Sequence, residues 1–554
     1  MKWNKAVVAA LLSVVALSCN TQHKSTNLPG RPKLVVGIVV DQMRWDYLYR
    51  FYNKYGEGGF KRLLNAGFTC ENTMVNYLPS FTAPGHSCVY TGSVPSIHGI
   101  SGNNWIDENG KKWYCVDDSA HKAISGNSAM SPNTLLTTTI TDELRLATNF
   151  KSRVFGVAIK DRGSILPAGH LGNAAYFYSE ETGVFTTTTY YAQQYQNPAW
   201  LQSFNKRHVA DSLAKQNWKP LLPAAEYDQS VDYSAYYGKI CKGEKIPSFP
   251  HVVDTLNDTN RLAAIKTMPG GNTMTLMMAK ACLEGEKLGM GDATDFLAVS
   301  LSSTDYCGHT YGPNSVEIED MYIRLDREMA DLLQYLDEKM GQGNYTMFLT
   351  ADHAGAHNAV FLKDRDVPAE VVGYQGKVAD LNYYLKTELH LDSFTRVVED
   401  IMNYQVFLNN AIVDANHIDR NKAKDLIMGW LKKQPGMQYV IDMENISGAT
   451  VPEPIKQMVI NGYNRKRSGC IEFILEPGWY EFGNSNGLTL TGTTHGTWNP
   501  YDTHIPLLWY GKSIPHGTTH TVVNMTDIAP TLAALLNIQM PNGCIGKPIT
   551  EIVK

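Results

Sequence analysis

Three largely apolar, β-branched runs in this chain end in the same way. Residues 34–40 (LVVGIVV) stop at Asp41. Residues 296–301 (FLAVSL) run into Ser302, Ser303, Thr304 and Asp305, and residues 346–350 (TMFLT) run into Ala351, Asp352 and His353. Each run is continuous rather than alternating and bounded by turn residues, the pattern of a strand covered on both faces in a parallel sheet. Such strands need helices on both sides, which makes the chain an α/β protein with a mostly parallel sheet sandwiched between helices. In open sheets of this kind, ligands bind beyond the carboxyl ends of the strands. One aspartate after a strand is ordinarily a turn residue or a helix cap. Three of them, two closely coupled to histidines, place a polar site along that edge.

The sequence between these runs supplies the helices. Residues 58–66 read as a short amphipathic helix, and the segment after Pro84 as another. Residues 316–339 carry Met321, Ile323, Leu325, Met329, Leu332, Leu333 and Leu336 at broadly helical spacing, so the methionines of this long helix belong to the core. Residues 154–159 (VFGVAI) form a further strand that ends in Lys160-Asp161-Arg162-Gly163, and residues 505–509 (IPLLW) form the last strong one. Asp527-Ile528-Ala529-Pro530-Thr531 caps a closing helix through Leu536. Two stretches, about 165–260 and 365–485, break the strand–helix alternation. They read as cap insertions over the strand ends, within a catalytic domain spanning residues 32–554.

The N-terminus reads as an export signal, residues 1–19. Lys2 and Lys5 precede an apolar run at 6–17 that is too short to span a bilayer. Ala16-Leu17-Ser18-Cys19 resembles a bacterial lipobox, although that pattern prefers leucine three places before the cysteine. Cys19 would then be the lipidated first residue, residues 20–31 a flexible tether, and the expected location periplasmic and membrane-anchored, with a soluble or secreted form as the alternative. The eight other cysteines, Cys70, Cys88, Cys115, Cys241, Cys282, Cys307, Cys470 and Cys544, permit up to four disulfides in an exported protein. No CxxC pair occurs, which speaks against a cysteine zinc cluster. A formal net charge of −5 without a basic stripe speaks against a nucleic-acid partner.

Thr82 stands two residues before Pro84, and proline is at home in a first helical turn because its missing N–H would have no partner there. The Thr82 hydroxyl is therefore expected just outside a helix N-terminus, beside free N–H groups, as an N-cap or a nucleophile. Asp305 and His309 are four apart, so on one helical turn they face the same way and can share a metal. Asp352 and His353 are adjacent on a loop where both can turn inward. Carboxylates mixed with imidazoles suit zinc, with manganese or iron as alternatives. A third histidine must complete the first site, and His495, in Thr494-His495-Gly496-Thr497, is favoured over His357 and His504. His86 and His98 read as structural or exposed.

Asp41 after the first strand, a threonine at a helix start, Asp-x-x-x-His, Asp-His and a late His-Gly together resemble the alkaline phosphatase superfamily. Gly102-Asn103-Asn104-Trp105 and Lys160-Asp161-Arg162 narrow the likeness to the PafA-type bacterial alkaline phosphatases, which use a threonine nucleophile. The resemblance covers most of the chain. It implies two zinc ions sharing one phosphoryl group, one held by Asp305, His309 and His495, the other by Asp41, Asp352, His353 and Thr82. It implies a phosphothreonine at Thr82, and contacts from Asn103, Lys160 and Arg162 to the non-bridging oxygens. With Lys160 and Arg162 at a strand end, side chains two apart would point the same way and Asp161 would face away.

Two cations and an amide match a dianionic monoester, so small-molecule phosphate monoesters are the expected partners. A nucleotide pyrophosphatase/phosphodiesterase on the same scaffold is the alternative; that branch shares the threonine and asparagine but not the lysine–arginine pair. No Cys-x-Pro-x-Arg or Ser-x-Pro-x-Arg marks a sulfatase. The signal segment opposes a cytosolic phosphoglycerate mutase. A catalytically dead binding lipoprotein would have no use for a full set of ligands and phosphate contacts.

Overall fold

The computed structural model describes residues 30–553 except 232–233, 241–243, 393 and 485–486. The signal segment with Cys19, most of the tether and Cys241 lie outside the described residues. At the centre is β1 (Leu34–Val40), buried along its whole length. In chain order there follow β2 (Phe68–Cys70), α1 (Thr82–Thr91), the hairpin β3 (Asn104–Ile106) and β4 (Lys112–Tyr114), and β5 (Val154–Ala158). Next come α2 (Asp161–Ala168), β6 (Ala174–Ser179), β7 (Val184–Thr186), β8 (Asp295–Leu301), α3 (Ser303–Tyr311), α4 (Val316–Met340) and β9 (Tyr345–Thr350). The remainder holds β10 (Val398–Met402), β11 (Gln405–Leu408), β12 (Met437–Asp442), β13 (Ile471–Leu475), β14 (Leu507–Gly511), β15 (Gly517–Thr519) and α5 (Ile528–Leu536).

Nine strands form the main sheet in the order β7-β6-β5-β8-β1-β9-β14-β2-β15. Among the described residues only the β7–β6, β9–β14 and β2–β14 pairs are antiparallel, so the sheet is mixed and mostly parallel. Leu34 is level with both Asp295 and Tyr345, which brings the carboxyl ends of β1, β8 and β9 to one line. That register delivers Asp41, the start of α3 and the Asp352 loop to the same place. The long helix forms as expected: Met321, Leu325, Met329, Leu332, Leu333 and Leu336 of α4 are all buried.

Several expectations need correction. The stretch from residue 165 is not an insertion at its start, since α2 continues to Ala168 and β6 and β7 extend the main sheet at its edge. The aromatic residues of β6 pack there, with Tyr176, Phe177 and Tyr178 buried. The run at 505–509 is split by Pro506, which cannot donate to a ladder. His504 and Ile505 pair with Met74 and Thr73 instead, and the sheet strand begins at Leu507. No disulfide joins the seven described cysteines to one another, and six of them are buried among core side chains as small apolar groups. Residues 398–475 build a separate four-stranded sheet, β10-β11-β13-β12, around Leu381, Val406, Ile427 and Phe473. It meets the β3–β4 hairpin, where Asn403 Nδ2 donates to Asn104 O at 2.7 Å.

Candidate active site

Four segments converge at the carboxyl edge of the sheet. Asp41 follows β1 directly, Asp352 and His353 follow β9, Asp305 and His309 lie one turn apart on α3, and His495 comes from the segment preceding β14. The ligand-type atoms of Asp305, His309 and His495 lie within 4.8 Å of one another, and so do those of Asp41, Asp352 and His353. The two competing histidines are elsewhere. His504 stacks on Trp45 and donates Nε2–H to Glu71 O at 2.9 Å, while His357 pairs with Asn314.

Each cluster histidine gives its Nδ1 proton to a backbone carbonyl. His309 donates to Thr493 O at 2.9 Å, His353 to Ala354 O at 2.9 Å and His495 to Ser80 O at 2.7 Å. Nε2 is thereby left as a lone-pair nitrogen facing the carboxylates. His309 Nε2 is 3.2 Å from Asp305 Oδ1, and His353 Nε2 is 3.5 Å from Asp41 Oδ1. Burial holds the pKa of His353 below the ordinary imidazole range; at His495 the proximity of His353 and His309 adds to the same effect.

Three buried carboxylates face one ammonium. Lys160 Nζ lies 2.7 Å from Asp41 Oδ2 and 2.5 Å from Asp305 Oδ2. Burial works against the charge of all three acids. At Asp305 it is outweighed by His309 and Lys160, and at Asp352 by His353 and His86, so both carboxyls sit below the usual range. At Asp41 burial and the neighbouring Asp352 prevail over Lys160 and push the carboxyl well above it. Asp41 Oδ1 is buried and accepts no hydrogen bond from a described residue. An orphaned carboxylate oxygen beside inward-facing imidazole lone pairs is the donor set of a metal ion, and each triad fits one cation.

Thr82 is the first residue of α1 and Phe81 the N-cap, so the hydroxyl stands one place further into the helix than expected. Thr82 Oγ1 is 3.4 Å from His353 Nε2, which places it with the Asp41–Asp352–His353 triad. Gly85 permits this approach of α1, because a Cβ there would stand 2.4 Å from Asp352 O. Asn103 Oδ1 accepts the Ala83 N–H at 2.9 Å, leaving the amide NH2 as its end that can donate to a substrate.

Lys160 and Arg162 do not share a strand face. β5 ends at Ala158, Lys160 is the N-cap of α2 and Arg162 lies in its first turn, so strand alternation does not set the directions of the two side chains. Lys160 reaches Asp41 and Asp305. Arg162 Nη1 donates to the Tyr114 hydroxyl at 3.0 Å, and its buried Nε has no acceptor among the described residues. Asp161 does not face away, since its Oδ1 accepts from the same Tyr114 hydroxyl.

Residues 35–498 match the family model described as type I phosphodiesterase / nucleotide pyrophosphatase. A protein of Myroides odoratus named calcium-transporting ATPase is 48% identical over the whole of both chains. Alkaline phosphatase PafA of Elizabethkingia meningoseptica is 45% identical over 98% of each chain. The crystal structure of wild-type PafA superposes with a TM-score of 0.90 at 45% identity, covering 95% of this chain and 99% of that one. The chain belongs to the PafA-type alkaline phosphatases of the alkaline phosphatase superfamily.

In this PafA-type site three further residues matter that spacing did not single out. Gln42, in left-handed backbone at φ 64, donates Nε2–H to Asp305 Oδ1 at 2.8 Å and its backbone N–H to Asp352 Oδ1 at 3.2 Å, tying the two triads together. Gly308 makes room for it, since a Cβ there would lie 1.8 Å from Gln42 Oε1. His86 is buried rather than exposed; its Nδ1 lies 2.9 Å from Thr82 O and 3.2 Å from Asp352 Oδ2, and its Nε2 2.8 Å from Ser300 Oγ. Its place four residues after Thr82, on the same helical face, was the available signal. Tyr114 bridges Asp161 and Arg162 from the β3–β4 hairpin, a contact that only the tertiary fold creates.

Proposed function

We propose that this chain hydrolyses phosphate monoesters by passing the phosphoryl group to Thr82 and then to water. The position of Thr82 Oγ1 carries the reading: it is buried at a helix N-terminus, 3.4 Å from His353 Nε2 and beside the meeting point of two ligand triads. Asp305, His309 and His495 would hold one zinc ion, and Asp41, Asp352 and His353 the other with the Thr82 oxygen. When bound, zinc lowers the pKa of a coordinated hydroxyl or water and offsets the charge that builds on the apical oxygens.

In the first step the deprotonated Thr82 oxygen forms a bond to phosphorus while the ester P–O bond breaks. In the second, a water oxygen bonds to phosphorus as the bond to Thr82 Oγ1 breaks; one water proton goes to the released Thr82 oxygen and inorganic phosphate keeps the other. The N-terminal dipole of α1 favours negative charge beside Thr82. The Asn103 NH2, the Arg162 guanidinium and the Lys160 ammonium are the donors that would bind the three non-bridging oxygens, with Lys160 turning from Asp41 and Asp305 toward the substrate. In a crystallised PafA variant, the four substituted residues are a threonine, an asparagine, a lysine and an arginine. The intervals within its Thr–Asn and Lys–Arg pairs equal those of Thr82–Asn103 and Lys160–Arg162.

The family model's name keeps a phosphodiesterase in view. Two cations near the phosphoryl group favour the extra charge of a monoester, and the terminal phosphoryl of a nucleotide such as ATP presents the same dianion. Among the described residues no helix is long and apolar enough to cross a membrane. Export, with lipid attachment at Cys19, remains part of the reading on sequence grounds; metabolic labelling with a fatty acid tests it, and absence of label would point to simple cleavage. The deciding assay is kcat/KM for a matched aryl phosphate monoester and diester, with zinc counted in the same protein. A monoester preference of roughly 100-fold or more is expected from the added charge contacts. Equal or faster diester turnover would move the diesterase reading ahead.

A further inference from the structure

A lysine outside the two triads approaches the site from the segment after β7. The Lys239 backbone N–H donates to Thr310 O at 2.7 Å, one residue past His309 on α3. Its side chain runs along Gly492: a Cβ on that glycine would lie 2.9 Å from Lys239 Cε and 2.3 Å from His309 O. The ammonium stands 3.7 Å from the centre of the Phe482 ring, and that ring is stacked with His309 at a centroid distance of 6.4 Å. No carboxylate among the described residues forms an ion pair with Lys239. Burial lowers its pKa to about 8, with Asp305 acting in the opposite direction. A half-buried ammonium held on an aromatic face, without an anion from the protein, is a built feature that costs stability unless something else meets the charge.

Its place decides which part of a substrate it meets. Thr82 Oγ1 adjoins the Asp41–Asp352–His353 triad; in-line displacement sends the leaving group to the opposite side of phosphorus, and a phosphoryl group seated between the two triads would turn that side toward Asp305, His309 and His495. Lys239 adjoins His309. It therefore faces the departing group, while Asn103, Lys160 and Arg162 are placed for the transferred phosphoryl. Resting on the monoesterase reading above, we propose that Lys239 is a specificity residue selecting phosphate monoesters whose leaving group carries a second anion, carboxylate or phosphate.

The zinc-loaded enzyme, Lys239→Met and Lys239→Arg would be assayed on two substrate pairs. One pair is 3-carboxyphenyl phosphate and its neutral 3-carboxamide; the other is 1,3-propanediol bisphosphate and the monophosphate. In Lys239→Met, kcat/KM for the charged members should fall roughly tenfold, the worth of one charge-assisted contact, and for the neutral members less than about threefold. Lys239→Arg should restore most of the preference, and added salt should shrink it in the native enzyme. A selective loss on one pair alone upholds the proposal and names the anion. Equal losses on charged and neutral members overturn it and leave the monoesterase reading standing. A native enzyme that turns over none of the four brings down both.

Discussion

Tyr114→Phe is the sharpest probe of how Arg162, the arginine proposed to bind the phosphoryl group, is held. The Tyr114 hydroxyl accepts from Arg162 Nη1 at 3.0 Å and donates to Asp161 Oδ1, which also accepts the Arg162 backbone N–H at 2.5 Å. Burial raises the phenol pKa well above its ordinary value, Asp161 adding to this against Arg162, so the hydroxyl stays protonated as a donor at working pH. Its removal deletes one hydrogen bond to a charged, buried guanidinium, worth about 1.5–3 kcal/mol, of which reorientation recovers part. The expected loss in kcat/KM for a monoester is about 1–2 kcal/mol, or roughly 5- to 30-fold. Arg162→Ala should lose more, about 2–4 kcal/mol or roughly 30- to 1,000-fold, with a smaller effect on a diester. Because Tyr114 acts through Arg162, adding Tyr114→Phe to Arg162→Ala should cost little further. The assay is kcat/KM for a matched monoester and diester across the four proteins of this cycle. An undiminished Tyr114→Phe effect in the Arg162→Ala background would refute the positioning role.

Three further outcomes are expected. Chelation should abolish turnover and lower the melting temperature, since Asp41, Asp305 and Asp352 then share a buried site offset by Lys160 and the neighbouring histidines without a metal cation; calorimetry with zinc add-back checks this, and a metal-free protein with undiminished turnover would contradict it. Glu472 on β13 is 1% exposed, and burial raises its pKa from 4.5 to about 8, opposed by the Gln405 hydrogen bond. The stability it contributes is therefore full below about pH 4.5 and lost as pH rises through about 8. Glu472→Gln should melt above the native protein at pH 9 and together with it near pH 4, as read from thermal scans. Gly85→Ala should push α1 off the Asp352 loop, given the 2.4 Å approach of its Cβ to Asp352 O, and should cost activity with zinc still bound.

The candidate metal triads were legible because their pairs are local: His309 comes four residues after Asp305, one helix turn on, and Asp352 adjoins His353 after a buried strand. His495 was separable from His504 and His357 only as a preference, since its partners are distant in sequence and meet it through the fold. The Lys160–Arg162 geometry was misread because the apolar run at 154–159 gives no sign that the strand stops at Ala158 and a helix begins at Asp161. Gln42 follows Asp41 directly, yet its grip on Asp305 depends on a left-handed backbone and on the space left by Gly308. β6 was hidden in a segment rich in tyrosine and threonine whose packing partners lie on β5 and beyond. The cysteine count established what oxidation permits and said nothing about proximity.

The most direct test of the central role of Thr82 is single-turnover hydrolysis of an aryl phosphate by the native enzyme, Thr82→Ser and Thr82→Ala, with bound metal counted in the same samples. With Thr82 as nucleophile, the alanine variant keeps its metals and slows by on the order of 1,000-fold or more, while the serine variant retains a measurable fraction of the rate. A fully metal-loaded Thr82→Ala enzyme running at the native rate would contradict it, leaving Thr82 as only the first residue of α1.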